Sequence, residues 1–181
     1  MIALATTPIS PAALPAPVPA VLDFEASGFG RSSYPIEIGY VLADGRTFCS
    51  LIRPAPGWTH WDPAAAQVHG LTREMLLAHG RDVSDLARHL NNELRGLTLY
   101  CDGWAHDYTW LGSLFEAADS SPAFKLDNLR SLLSEPQAAR WHVVKQEVAA
   151  EMQLQRHRAS ADARLLQRAL MQSREPAPEP G

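Results

Sequence analysis

Five residues spread along the chain have side chains that do phosphate chemistry when brought together. Asp23 and Glu25 stand two apart at the end of an apolar run, Val21-Leu22-Asp23-Phe24-Glu25, so on a strand both carboxylates face the same side. Such a pair repels itself unless a cation or a base stands between. His157 and Asp162 are five apart in His157-Arg158-Ala159-Ser160-Ala161-Asp162-Ala163. A loop histidine and an aspartate in the first turn of a helix could then face one site. Asp107 lies between the two groups, at the start of a helical pattern with Trp110, Leu111 and Leu114. Four carboxylates suit Mg²⁺ or Mn²⁺, hard cations that take oxygen ligands. Imidazole is the side chain that titrates near neutrality, so it can accept a proton from an attacking water. The chemistry within reach is two-metal hydrolysis of a phosphodiester. Plainer uses exist for each residue: Asp-x-Glu is a common pair, Asp107 could cap its helix, and a lone histidine is often a surface group. Asp102, which follows an apolar run directly, competes with Asp107 as the third carboxylate.

Holding these groups together requires a sheet covered by helices. Pro19 to Glu25 reads as a first strand and residues 26–30 as a turn. Pro35 to Leu42 alternates, Asp44-Gly45 is a hairpin signal, and Thr47 to Arg53 returns. The chain therefore opens with a three-stranded antiparallel meander. Asp62-Pro63 supplies an N-cap and a first-turn proline, and Thr72 opens a second short helix. Val83, Leu86, Leu90 and Leu94 repeat at helical spacing. After Gly96, Leu97 to Cys101 forms a compact fourth strand. A helix is expected over His106–Ala118, a fifth edge strand over Ala123–Leu126 and a short helix over Asp127–Leu133. Two further helices are expected, over Gln137–Leu154 and Ala159–Gln172. The expected class is α/β, a mixed five-stranded sheet flanked by helices, with the site at strand ends.

With 181 residues the chain can bury one substantial core. That core is expected over 19–172, between an Ala/Pro-rich extension (1–18) and a Pro-rich tail (173–181), both expected to be disordered. A net charge of −4 argues against tight, non-specific duplex binding. Contact with nucleic acid must then use local positive groups or metal ions. Cys49 and Cys101 both fall in strand-like runs and read as buried free thiols; no zinc-ligand spacing exists. Lack of a cysteine framework fits a cytoplasmic location, and no stretch is long and apolar enough to span a membrane.

Set in order, several segments resemble a known family. They are Leu22-Asp23-Phe24-Glu25-Ala26-Ser27-Gly28, Pro35-Ile36-Glu37-Ile38-Gly39, Val68-His69-Gly70-Leu71-Thr72 and the His157–Ala163 segment. Together they resemble the DEDDh 3′→5′ exonucleases, the DnaQ-like family of polymerase proofreading subunits, ribonuclease T and oligoribonuclease. The likeness runs from about Pro19 to Leu170. It departs at the second motif: many members have His-Asn-Ala-x-Phe-Asp, and this chain has Asp102-Gly103-Trp104-Ala105-His106-Asp107. Matching puts Asp107 on the metal-binding aspartate and Asp102 on the histidine position.

The resemblance implies a ribonuclease H-like fold and two divalent ions, Mg²⁺ or Mn²⁺. Asp23 would be shared between them, Glu25 and Asp162 would complete one site, and Asp107 would hold the other. His157 would be the general base, and the products a nucleoside 5′-monophosphate and a shortened strand. The implied partner is the 3′ end of single-stranded DNA or RNA, and a homodimer is open because some members dimerise. Phe29 could stack on the terminal base or simply pack in its turn. Arg158, with Arg156 and Arg164, could contact phosphates or form a solvated helix face. His69 reads as a loop-fixing residue. Two alternatives stay open: an exoribonuclease for short RNA or RNA 3′ ends, set apart by contacts to the 2′-OH, and a catalytically idle nucleic-acid-binding module.

Overall fold

Alternation along one central strand decides how the molecule is layered. The computed structural model describes residues 17–153 and 157–174. Most of the expected extension (1–16), Arg156 and the tail beyond Arg174 lie outside the described residues. Strands β1 (Ala20–Ala26), β2 (Pro35–Val41) and β3 (Thr47–Leu51) form the antiparallel meander. Strand β4 (Thr98–Cys101) runs parallel to β1, and β5 (Lys125–Asn128) runs parallel to β4. The order is β3-β2-β1-β4-β5, which puts β1 in the middle.

Even-numbered β1 residues Leu22 and Phe24 join Ile38, Tyr40 and Leu99 on one face. Helices α3 (Val83–Glu93) and α4 (Trp104–Ala117) cover it with Leu86, Leu90, Trp110 and Leu114. The odd-numbered face packs Val21 and Val41 under α5 (Glu135–Met152) and α6 (Ala159–Arg174), through Trp141, Val144, Val148, Leu166 and Leu170. Each large side chain so buried stabilises the fold by about 1.5–3 kcal/mol. The same alternation aims Asp23 and Glu25 toward the α5–α6 side. Short helices α1 (Pro63–His69) and α2 (Arg73–His79) follow, and α2 contributes Leu76 to a small third cluster with Tyr34, Ile36 and Leu71. Among the described residues no helix is long and apolar enough to cross a membrane.

Several boundaries differ from the sequence reading for local reasons. The fifth strand begins at Lys125, paired with Thr98, because Phe124 turns into the core instead of joining the ladder. The helix expected from Asp127 is only a 3-10 turn over Leu129–Leu132, entered through Asn128, whose side chain accepts the Arg130 N–H at 3.0 Å. Helix α5 starts two residues early because Ser134 and Gln137 form a capping box and a proline fits the first turn. Ser173, expected in the tail, belongs to α6. Cys101 is buried, but Cys49 is exposed on the edge strand and does not fit the buried reading.

Candidate functional site

The third motif reaches β1 by way of β2. In the β1–β2 ladder Asp23 lies opposite Gly39 and Glu25 opposite Glu37, so all four positions share a face. Gly39 leaves room for the first turn of α6: a Cβ there would stand 2.1 Å from the Ser160 nitrogen. Glu37 is fully buried, and its carboxylate accepts the Ala159 N–H at 2.9 Å. It also receives the Arg158 guanidinium as a fork, Nε at 2.9 Å and Nη2 at 2.6 Å from Oε1. A charge so deeply buried needs such a partner. Arg158 is thus occupied in anchoring α6, with its side chain 45% exposed. Just before the helix His157 adopts φ +66°, and its N–H donates to Asp162 Oδ2 at 2.9 Å. This closed loop presents the imidazole and the Asp162 carboxylate to β1.

Ligand atoms of Glu25, His157 and Asp162 all lie within 4.8 Å of one another. With Asp23 they line a cleft of about 440 Å³, whose other wall carries Asp102, His142, Lys145 and Gln146. A second, mainly apolar cleft of about 270 Å³ opens on the far side of Asp23 and Glu25, bordered by Phe29, Val68, His69, His106, Asp107 and Trp110. Phe29 is 72% exposed and meets His106 edge-on at 5.7 Å. His106 in turn stacks on Trp110 at 5.5 Å. The turn that holds Phe29 is tied by Ser27, which donates its N–H to Tyr34 O at 2.9 Å and accepts the Tyr34 N–H at 3.1 Å. His69 accepts the Leu71 N–H on Nδ1 at 3.0 Å, in keeping with a loop-fixing role.

Asp107 is 3% exposed, and its Oδ2 has no hydrogen-bond partner. It is not a cap, because the N-cap of α4 is Gly103. Asp102 is committed elsewhere: Oδ1 accepts Trp141 Nε1–H at 2.9 Å, and Oδ2 is ion-paired with Lys145. The carboxylates crowd one another. Burial pushes Asp23 well above the usual carboxylate range, and Asp107, Asp162 and Glu25 add repulsion. Burial, then Asp162 and Glu37, push Glu25 up to about 7. Burial likewise pushes Asp107 up to about 7. An oxygen-rich donor set with mutual repulsion and one buried, unpartnered oxygen fits hard divalent cations. Two residues of this region escaped the sequence reading. Glu37 could have been found as a glutamate inside an otherwise apolar strand; Lys145 carries no such signal.

No protein-family profile and no curated protein sequence matches the chain. Solved structures do. Exonuclease I from Methylocaldum szegediense superposes with a TM-score of 0.65 at 13% identity, covering 87% of this chain and 41% of that one. E. coli exonuclease I in complex with a dA16 oligonucleotide gives 0.64 at 13% identity, covering 86% and 41%. A zinc-bound E. coli exonuclease I complex with single-stranded DNA gives 0.64 at 13% identity, covering 86% and 40%. The fold is ribonuclease H-like. The chain spans about two-fifths of the length of these enzymes. In this ribonuclease H-like sheet the acidic group sits on the middle strand, where α4 and α6 each bring in one more carboxylate.

Proposed function

We propose that the protein is a metal-dependent 3′→5′ exonuclease that hydrolyses the terminal phosphodiester of single-stranded nucleic acid to release nucleoside 5′-monophosphates. The observation that carries this reading is the convergence of Asp23, Glu25, Asp107 and Asp162 beside His157, with the Asp107 oxygen buried and unpartnered. The oligonucleotides in structures of the same fold favour single-stranded DNA as substrate.

Asp23, Glu25, Asp107 and Asp162 would hold two divalent cations, Mg²⁺ or Mn²⁺. When bound, these offset the carboxylate charge and stabilise the attacking and leaving oxygens of an in-line displacement. The residues of the chain do the rest. The His157 imidazole, held beside Glu25 and Asp162, accepts the proton of the attacking water. The apolar cleft takes the terminal nucleoside, with exposed Phe29 offering a ring that stacks on any base. Glu37 and Arg158 keep the His157–Asp162 loop in place.

The test is cleavage of matched 5′-labelled single-stranded DNA and RNA oligomers with Mg²⁺ or Mn²⁺, against EDTA and Asp23→Asn controls. A ladder shortening from the 3′ end, lost in both controls, is expected, with DNA preferred. An RNA-only ladder would assign the ribonuclease reading. Metal and strand binding without any cleavage would assign an idle binding module.

A further inference from the structure

The cleft that contains Asp23, Glu25, His157 and Asp162 has a second wall that the proposed reaction leaves unused. It is one face of α5, carrying His142, Lys145 and Gln146. Gln146 Nε2 and His142 Nε2 are within hydrogen-bond distance of each other at 3.0 Å. Lys145 is the only lysine or arginine among the described residues lining this cleft. Its ammonium is ion-paired with Asp102 Oδ2 and sits 5.6 Å from the centre of the Trp141 ring. Asp102 is itself held by the indole N–H of Trp141, a residue 1% exposed. An ammonium has three donors, and Asp102 takes one. Lys145 is therefore a tethered cation with two donors left over, in a cleft that also holds the carboxylates of Asp23, Glu25, Asp102 and Asp162.

We propose that Lys145 binds a backbone phosphate of the single strand, upstream of the scissile linkage, and that Asp102 is the positioning residue that aims it. The proposal rests on the exonuclease reading and deepens it. The apolar cleft accepts the terminal nucleoside, and the polar cleft accepts the backbone that leads to it. Cations held by the four carboxylates would serve the scissile phosphate, which leaves the next phosphate in need of a positive charge of its own. Lysine suits this task as a compact charge with rotatable donors. Asp102, standing where the resembling family has histidine, supplies the anion that fixes it.

The test is binding of a fluorescein-labelled dT oligomer with Mg²⁺, in a His157→Ala background that suppresses cleavage, across a salt series. Lys145→Met is expected to weaken binding about tenfold, the loss of a charged hydrogen bond. It should also lower the slope of log Kd against log salt by about 0.7, the share of one single-strand phosphate contact. Lys145→Arg should restore the slope. The double variant Asp102→Asn/Lys145→Met should bind as weakly as Lys145→Met. If the double variant instead regains the parental affinity and slope, Lys145 merely neutralises Asp102 and the proposal fails. An unchanged slope in Lys145→Met also overturns it. No strand binding by the parent would overturn the exonuclease reading itself, and this inference with it.

Discussion

Gly39→Ala perturbs the site without touching any group that does chemistry. The added Cβ would stand 2.1 Å from Ser160 N, 2.4 Å from Ala159 C and 2.5 Å from Ser160 Cα. Ordinary contact begins at 3.4 Å, so the first turn of α6 must retreat by about 1.3 Å. The atoms in the way are backbone, so no rotamer change can absorb the strain. Overpacking of this kind costs about 1–3 kcal/mol, or roughly 2–12 °C in Tm for a chain of this size. The retreat carries His157 and Asp162 away from Asp23 and Glu25, which stay on β1. A misplacement of about 1 Å costs on the order of 100-fold in rate, and Mn²⁺ affinity should fall with it. Thermal melts, Mn²⁺ titration calorimetry and oligomer cleavage read the three effects separately. Gly112→Ala is the control: it lies in α4 with nothing within 4 Å of the new Cβ, and should stabilise by about 1 kcal/mol. A Gly39→Ala protein with parental Tm, Mn²⁺ affinity and cleavage would refute the claim that α6 delivers the site by resting on Gly39.

Arg158→Met takes the guanidinium fork away from the fully buried Glu37. It should cost about 3 kcal/mol in urea denaturation, at the low end for a broken buried pair because Arg158 is half-exposed; a loss near zero would show the pair to be dispensable. In EDTA, Glu25 and Asp107 ionise in the folded protein only near pH 7, above their unfolded values. Their penalty is therefore fully present above that pH and fades below it, so Tm should rise from pH 8 to about 6.5. Below that, His69 and His89, both lowered first by burial, resist protonation and should make the rise shallower. Added Mn²⁺ should flatten the rise, and a metal-free Tm that falls from pH 8 to 6.5 would contradict the crowding of carboxylates. Phe29→Ala removes a ring that is 72% exposed, so Tm should hold while KM for oligomers rises at least fivefold, matching about 1–3 kcal/mol of base stacking. An unchanged KM would remove Phe29 from the substrate path.

The meander, the helix-spaced stripe of α3 and the buried β4 were legible because each is a local pattern of period two or 3.6. So was the set of acidic residues, because strand alternation alone puts Asp23 and Glu25 on one face. What stayed hidden depends on contacts between distant segments. Phe124 looked like part of a strand until the core claimed it. The anchoring of Arg158 on Glu37 could not be read because the two lie 121 positions apart. Lys145 sits on a half-exposed helix face whose own periodicity gives no hint of what stands opposite. The Ser134–Gln137 capping box, by contrast, was available in the sequence and would have set the start of α5.

That distance between Glu37 and Arg158 ties assembly of the site to the completion of folding. Closing a loop of 121 residues comes at an entropic cost, so this contact belongs among the slow, non-local events of folding. Until α6 docks, Glu37 is a bare charge on β2, and neither His157 nor Asp162 stands beside Asp23. A chain caught partway, or clipped ahead of α6, therefore has no assembled site. The step that completes the core is also the step that gathers His157 and Asp162 beside Glu25.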